Sequence, residues 1–220
     1  MSALSRFAGT LPVPEQLRER LRALTVLESC FDLKWPRYRF TPDDGSGFEH
    51  FRFENGGGDR YHVFLGRSVA FLRAFDHTSQ LSPYVHDAVW PGLLDGLPES
   101  LEPLTRLQGD ERKYPLLTLA LWHDGTSWRH GTPRPREGRE AELTTWMLGP
   151  LLTFTPAAVV EHLSNFYGRP VDAEAVGAML RGEPVDRELV ERIAPGADVE
   201  RVAEIARTVG GRTASPTADR

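Results

Sequence analysis

The chain has 220 residues, of which 40% are apolar and 26% are charged, and its formal net charge is −5. These values are ordinary for a folded globular protein, and the length fits one large domain or a domain with a small appendage. A net negative charge argues against a general nucleic-acid-binding or anionic-membrane surface. No stretch approaches the roughly 18 apolar residues of a membrane span, so we expect no membrane association.

The cysteine content bears on the redox state of the compartment in which the protein folds. Cys30 is the single cysteine, so the chain cannot close an internal disulfide, which fits a reducing environment. Residues 1–13 contain one arginine and lack the continuous apolar core of a signal peptide. We therefore expect a cytoplasmic protein.

The first predicted element is a helix that begins at Pro14. Its apolar residues recur at helical spacing: Leu17, Leu21, Leu24 and Leu27. Charged residues fill the opposite face, so the pattern predicts a helix that lies on a sheet. Trp35-Pro36 interrupts the chain, and residues 38–40 then predict a short edge strand.

Residues 48–75 predict a three-stranded antiparallel meander. The glycine loop 55–59 is expected to produce two pairings, Phe53 with Tyr61 and Phe51 with Val63. Residues 66–68 are expected to form a three-residue turn, with Leu65 opposite Val69 and Val63 opposite Phe71. One face then carries an apolar set: Phe51, Phe53, Tyr61, Val63, Leu65, Val69, Phe71 and Phe75. We expect the other face to be only partly covered; it carries His50, Arg52, His62, Phe64, Ala70 and Leu72.

The next segments predict two short helical pieces, 93–97 and 98–107, and a second hairpin. Asp124-Gly125 is typical of a two-residue type I′ turn. That turn would place Leu121 opposite Trp128 and Leu119 opposite His130. Trp122 would then lie near Arg129 on the other face.

Beyond the second hairpin the sequence predicts a linker and then helices. Prolines and glycines mark residues 131–138 as the linker. One helix, or two short ones, covers 139–152, and Thr155-Pro156 begins a helix to about Tyr167. Three further helices begin at aspartates: Asp172, Asp186 and Asp198.

These elements predict an α+β fold: an N-terminal helix packed on an antiparallel sheet, followed by a mostly helical C-terminal region. The predicted division is a sheet domain over 1–130, the linker, a helical region over 139–209 and a flexible tail over 210–220. Linker composition favours an independent helical region. Large apolar residues between Trp146 and Phe154 favour docking onto the sheet, so both arrangements stay open.

Residues 76–87 hold the densest group of acids, histidines and hydroxyls in the chain. They contain the residue types of a hydrolytic triad, but no Gly-x-Ser-x-Gly elbow is present and Ser82 precedes a proline. The segment is read either as a structural turn with side-chain caps or as a binding surface. The candidate binding residues are Asp76, His77, Ser79, Ser82, Tyr84, His86 and Trp90.

Other ligand-binding patterns are weaker. The spacing of His77 and His86 matches no compact metal-ligand pair, so the sequence predicts no metal and no cofactor. His50, Arg52 and His62 share a strand face and form a possible small-anion site. The glycine loop joins two strands rather than leading into a helix, which argues against phosphate binding.

Nucleic acid is not an expected partner. Between Thr155 and Val209 the chain has ten acidic and six basic residues, a net charge of −4. Because neutralisation of phosphate charge dominates DNA affinity, we do not expect these acidic helices to bind DNA.

The motif Phe75-Asp76-His77-x-Ser79-x-x-Ser82-Pro83-Tyr84, followed by Trp90-Pro91-Gly92, resembles a group of uncharacterised bacterial cytosolic proteins. The resemblance extends back through the segment 51–59 and covers 48 to about 130. It implies no activity and no site. In size, acidity and helix-then-sheet order the chain also looks like toxin-immunity proteins, a likeness of architecture only.

Two functions follow as hypotheses. The first is a non-catalytic binding protein, immunity-like in kind, that recognises a protein partner. It rests on the absence of a complete catalytic signature and on aromatics expected to be exposed: Trp35, Tyr84 and Trp90. The second is a small-molecule, hydrolase-like enzyme that uses Asp76, His77 and His86 in a cleft. The sequence carries no signal for an oligomeric state.

Overall fold

The structure, a computed structural model, describes residues 2–32, 34–106, 114–136 and 145–211. Four predictions fall partly outside these ranges: the end of the second helical piece, the end of the linker, the helix start at 139, and the tail. The six strands are β1 (Tyr38–Thr41), β2 (Glu49–Glu54), β3 (Arg60–Leu65), β4 (Ala70–Phe75), β5 (Leu119–His123) and β6 (Trp128–His130). The α-helices are α1 (Ala3–Ala8), α2 (Pro14–Ser29), α3 (Pro83–His86), α4 (Gly149–Leu152), α5 (Pro156–Tyr167), α6 (Ala173–Leu180), α7 (Arg187–Ile193) and α8 (Val199–Thr208). Two 3₁₀ helices cover Glu99–Thr105 and Trp146–Leu148.

The strands form one antiparallel sheet in chain order, from β1 to β6. With α2 before the sheet and α5 to α8 after it, the fold is α+β, as the sequence predicted. α2 begins at Pro14, and its leucine stripe is buried, as expected from its spacing. α1 was not predicted; it packs against β6, where Ser5 Oγ lies 3.0 Å from His130 Nε2.

The pairing between β2 and β3 is confirmed: Phe51 lies opposite Val63 and Phe53 opposite Tyr61. The pairing between β3 and β4 was predicted wrongly. Gly66 N donates to Val69 O at 2.9 Å, so the turn holds two residues, not three. Val63 therefore lies opposite Leu72, and Leu65 opposite Ala70. A shift of one residue exchanges the two faces of a strand.

Because of this shift, Phe71 and Phe75 do not share the face of Phe51. The face of Phe51 packs into the larger core, which also contains α2 and the C-terminal helices. Phe71 belongs instead to a second core on the opposite face, together with Phe64, Leu81, Trp90, Leu93, Leu101, Leu117, Ala120 and Trp122. That face is covered, which corrects the expectation of a partly open one, and Trp90 is buried rather than exposed.

The second hairpin also differs from the prediction. His123 pairs with Trp128 and Leu121 with His130, and Asp124 N donates to Ser127 O, so the two turn residues are Gly125-Thr126 instead of Asp124-Gly125. Asp124 Oδ1 accepts the backbone N–H groups of Thr126 and Ser127, which closes the loop without a type I′ turn. Arg129 lies opposite Trp122, the neighbourhood the sequence predicted, and its guanidinium binds Asp124.

The C-terminal helices begin where the sequence placed them. Thr155, Asp172, Asp186 and Asp198 each cap a helix by accepting a backbone N–H. The buried residues of α5 to α8 belong to the same core as α2. The boundaries of separately folding units stay a prediction. None of the helices in the four described ranges has the length and apolar character that a membrane crossing requires.

Candidate functional site

Asp76 follows β4 directly and organises the turn after it. Its Oδ1 accepts hydrogen bonds from Thr78 N, Thr78 Oγ1 and Ser79 N, at 2.8–3.1 Å. Its Oδ2 accepts the indole Nε1–H of Trp146 at 3.1 Å. The carboxylate is 2% exposed. Asp76 is therefore an Asx-type cap that also anchors a tryptophan from the C-terminal region.

His77 is held by Asp59 from the neighbouring turn. Asp59 Oδ1 accepts both the His77 backbone N–H at 2.9 Å and His77 Nδ1 at 2.7 Å. Asp59 Oδ2 accepts the side-chain amide of Asn55 at 2.7 Å. Strand pairing explains the meeting, because Arg60 lies opposite Phe75 and the flanking residues 59 and 76 are thereby brought together. In the sequence Asp59 belongs to the glycine loop, and no local pattern connects it to His77.

Exposed apolar side chains, two of them aromatic, flank this group. The exposed fractions are 60% for Tyr84, 63% for Val85 and 56% for Trp146. The Tyr84 ring meets the buried Phe75 ring edge to face, with 5.3 Å between centroids. We call Asp59, Asp76, His77, Tyr84, Val85 and Trp146 the rim surface. It combines fixed apolar anchors with acidic and imidazole groups at one end of the sheet.

The other predicted residues of the polar run are structural in this conformation. Ser79 and Ser82 are buried; their hydroxyls accept the N–H groups of Leu81 and Tyr84 respectively. His86 Nε2 lies 2.8 Å from Gln80 O, and its ring meets Trp90 at 5.2 Å. Trp90 donates from its indole to Arg134 O at 2.8 Å. His86 is thus committed to Gln80 and Trp90, whereas Asp76 and His77 cluster with Asp59.

The predicted anion residues lie together on one face of the sheet. His50 Nε2 and His62 Nδ1 are 2.9 Å apart, and Arg52 NH1 is 3.7 Å from Glu54 Oε1. Burial, reinforced by neighbouring arginines, lowers the pKa of His50 to about 4. Burial, reinforced by His50 and the arginines, lowers the pKa of His62 to about 2. Both imidazoles are neutral near pH 7, so an anion here would meet Arg52 as its charged contact; the site stays a prediction.

A second polar cluster, which sequence reasoning missed, lies beneath α5. Buried Glu28 accepts hydrogen bonds from Arg37 and from the Tyr167 hydroxyl, the latter at 2.6 Å. The Arg37 guanidinium carbon lies 3.5 Å from the centroid of the Phe166 ring. Burial and the Glu28 charge raise the pKa of Tyr167. These residues tie α2, the start of β1 and α5 together.

Three polar atoms near this cluster are buried and have no hydrogen-bond partner within the described ranges: Tyr38 Oη, Tyr61 Oη and His162 Nε2. Burial, with help from Arg37, lowers the pKa of His162 to about 4. Two cavities, of about 330 and 380 Å³, lie along α2 near α8, and no rim residue lines them.

The rim surface offers the ligand types of a cation site. One ligand atom from each of Asp59, Asp76 and His77 lies within 4.8 Å of the other two. Cys30, the alternative soft ligand, is isolated: burial and the nearby Glu28 raise the pKa of its thiol to about 12. Comparison with known proteins adds no assignment, since no protein-family model, no curated protein and no solved structure matches the chain.

Proposed function

We propose that this chain is a non-catalytic binding protein of the cytosol that recognises a protein partner through the rim surface. The observation that carries the proposal is the indole of Trp146. It is 56% exposed, yet its orientation is fixed by a hydrogen bond to a buried carboxylate, Asp76. An aromatic side chain ordered before binding loses little conformational entropy in a complex, which makes it a favourable anchor.

Tyr84 and Val85 extend this anchor. Tyr84 rests against the buried ring of Phe75, and both Tyr84 and Val85 stand on α3, whose start is capped by Ser82. Aromatic residues dominate the energetic centres of protein interfaces. Asp87, at the end of α3 and next to the rim surface in the chain, is exposed, and the whole chain carries a net charge of −5. We therefore expect a partner with an apolar pocket and a basic border.

An immunity-like role is the form of this function that the chain's architecture favours, through its resemblance in acidity and helix-then-sheet order to toxin-immunity proteins. The single free, buried Cys30 is consistent with a reducing compartment. The hydrolase-like alternative lacks similar support, because His86 is engaged with Gln80 and the hydroxyls of Ser79 and Ser82 are buried caps.

Site-specific photo-crosslinking tests the proposal. A benzophenone amino acid at Val85, in cells that produce the protein, should yield one dominant crosslinked product. The matched control is the same replacement at Val13, which is 50% exposed. Its neighbour Pro12 accepts the indole N–H of Trp128, and Trp128 pairs with His123 beside Ala70, at the opposite end of β4 from Asp76. Equal products from both positions, or none from Val85, would contradict the proposal.

The partner obtained in this way then allows a second comparison. Trp146→Ala should weaken its binding by at least about 30-fold, the effect of a typical interface anchor. Trp35→Ala removes an equally exposed tryptophan, 67% accessible, outside the rim and should change binding less than about threefold. A reversed order would locate the interface elsewhere.

A further inference from the structure

We infer that Asp59, Asp76 and His77 form a binding site for a divalent transition-metal cation of the zinc or manganese class. The three ligand groups come from two turns that strand pairing brings together, the one before β3 and the one after β4. This inference goes beyond the proposed function and does not require a protein partner.

The carboxylates of Asp59 and Asp76 are buried close to each other. Asp59 is 6% exposed and Asp76 is 2% exposed, and their ligand oxygens lie within 4.8 Å of each other. Two carboxylates that close together in a poorly solvated place repel each other and lose hydration. In the described part of the chain, Asp59 receives its side-chain hydrogen bonds from Asn55 and His77 alone. A divalent cation bound at Asp59 would offset the part of this cost that falls on Asp59.

The three side chains offer two carboxylates and one imidazole as ligands. Carboxylate oxygens and an imidazole nitrogen together suit zinc and manganese better than magnesium or calcium, which bind through oxygens. Asp59 Oδ2 accepts one hydrogen bond, from Asn55, and so keeps a lone pair for a metal. His77 must exchange the contact between its Nδ1 and Asp59 for the metal, with its ring proton then carried on Nε2.

The three ligand groups are accessible to a cation from solvent. The His77 side chain is 43% exposed, so a cation can reach the group from solvent although the two carboxylates are buried. Three protein ligands leave at least one coordination position for water or an external group. Asn55 and Trp146, which contact the two carboxylates, would form the outer hydrogen-bonding shell that orients them.

The spacing of His77 and His86 in the sequence predicted no metal. The structure pairs His77 with Asp59 instead, 18 residues earlier in the chain, and commits His86 to Gln80. The alternative explanation is that Asp59 and His77 only lock the two turns together. The two explanations differ in whether the isolated protein takes up a metal.

Calorimetric titration of chelator-treated full-length protein with zinc chloride, and separately with manganese chloride, tests the inference. We expect one metal per chain for at least one of the two. Asp59→Asn and His77→Phe should each weaken binding by more than about 100-fold, because even the loss of an outer-shell contact costs about 10–100-fold. Circular dichroism establishes that each variant is folded; His77→Phe, at an exposed side chain, is the informative one if Asp59→Asn unfolds.

Two matched controls remove other histidines. His86→Gln alters the second histidine of the same segment, and His50→Gln alters the His50–His62 pair; both should retain wild-type affinity. X-ray absorption of the loaded protein should show oxygen ligation with one imidazole. No stoichiometric binding of either metal, binding that survives His77→Phe, or binding lost in His50→Gln would each overturn the inference.

Discussion

Glu28, near the end of α2, and Arg37, just before β1, form an ion pair whose side chains are 0% and 6% exposed. The Tyr167 hydroxyl from α5 donates to the same carboxylate, and the Phe166 ring covers the guanidinium. One charged pair thus links the helix, the edge strand and the C-terminal region. Because the contacting residues come from three separate segments of the chain, loss of the pair should destabilise the packing of all three segments.

We expect Glu28→Gln to lower the free energy of unfolding by about 3–5 kcal/mol, because Arg37 would remain buried without its counter-charge. Chemical denaturation measures this change. The matched control is Glu183→Gln, which removes the carboxylate of the exposed pair with Arg181 and should cost less than about 1 kcal/mol. A double variant, Glu28→Leu with Arg37→Met, should recover most of the lost stability. Equal effects of the two Glu→Gln changes would contradict the buried pair.

The pairing of Phe64 with Phe71 distinguishes the observed strand register from the one expected from the sequence. Their rings lie 6.4 Å apart between centroids in the second core. A double-mutant cycle with Phe64→Ala and Phe71→Ala should give a coupling free energy of about 0.5–1.5 kcal/mol. The same cycle with Val63→Ala and Phe71→Ala should give a value near zero, because those side chains lie on opposite faces. The reverse order would restore the alternative register.

The elements that the sequence predicted correctly carry strong local signals. Proline at the first turn of α2, and the Thr or Asp caps of the C-terminal helices, fix helix starts through hydrogen bonds to nearby N–H groups. The register of β4 has no such signal. All six of its residues are buried, so both registers place apolar side chains on both faces, and the two-residue turn decides between them.

The candidate site was predictable only in part, for a related reason. Asp76 and His77 stand out in the sequence because polar residues crowd together there. Asp59 reaches His77 only through the pairing of β3 with β4, and Trp146 reaches Asp76 across 70 residues. Contacts between distant segments depend on the packed fold, and a single sequence does not encode them in a local pattern.

Gly92, in the Trp90-Pro91-Gly92 segment, should tolerate no side chain. Its φ is +81°, and a Cβ there would lie 2.0 Å from Thr132 O. Gly92→Ala should therefore lower the free energy of unfolding by more than about 2 kcal/mol through backbone strain and steric overlap. Gly149→Ala is the matched control, because its Cβ would meet open space and its φ is −47°; we expect a change within about 0.5 kcal/mol. Thermal and chemical denaturation compare the two, and equal effects would contradict the close approach of residues 92 and 132.

Stability should fall as the pH is lowered from about 6.5 toward 4, because buried histidines resist protonation in the folded protein. Burial lowers the folded-state pKa of His62 to about 2, and that of both His50 and His162 to about 4, whereas an unfolded histidine titrates near 6.5. Between these values the unfolded chain binds more protons than the folded one, so acid favours unfolding. Above pH 7 all three imidazoles are neutral in both states and contribute no pH dependence. Denaturant midpoints between pH 8 and 4 measure the effect, which should approach roughly 3 kcal/mol per histidine at pH 4. His62→Phe removes one of the three groups and should make the decline shallower; an unchanged slope in that variant, or a wild-type midpoint that stays constant down to pH 4, would contradict the burial of this histidine pair.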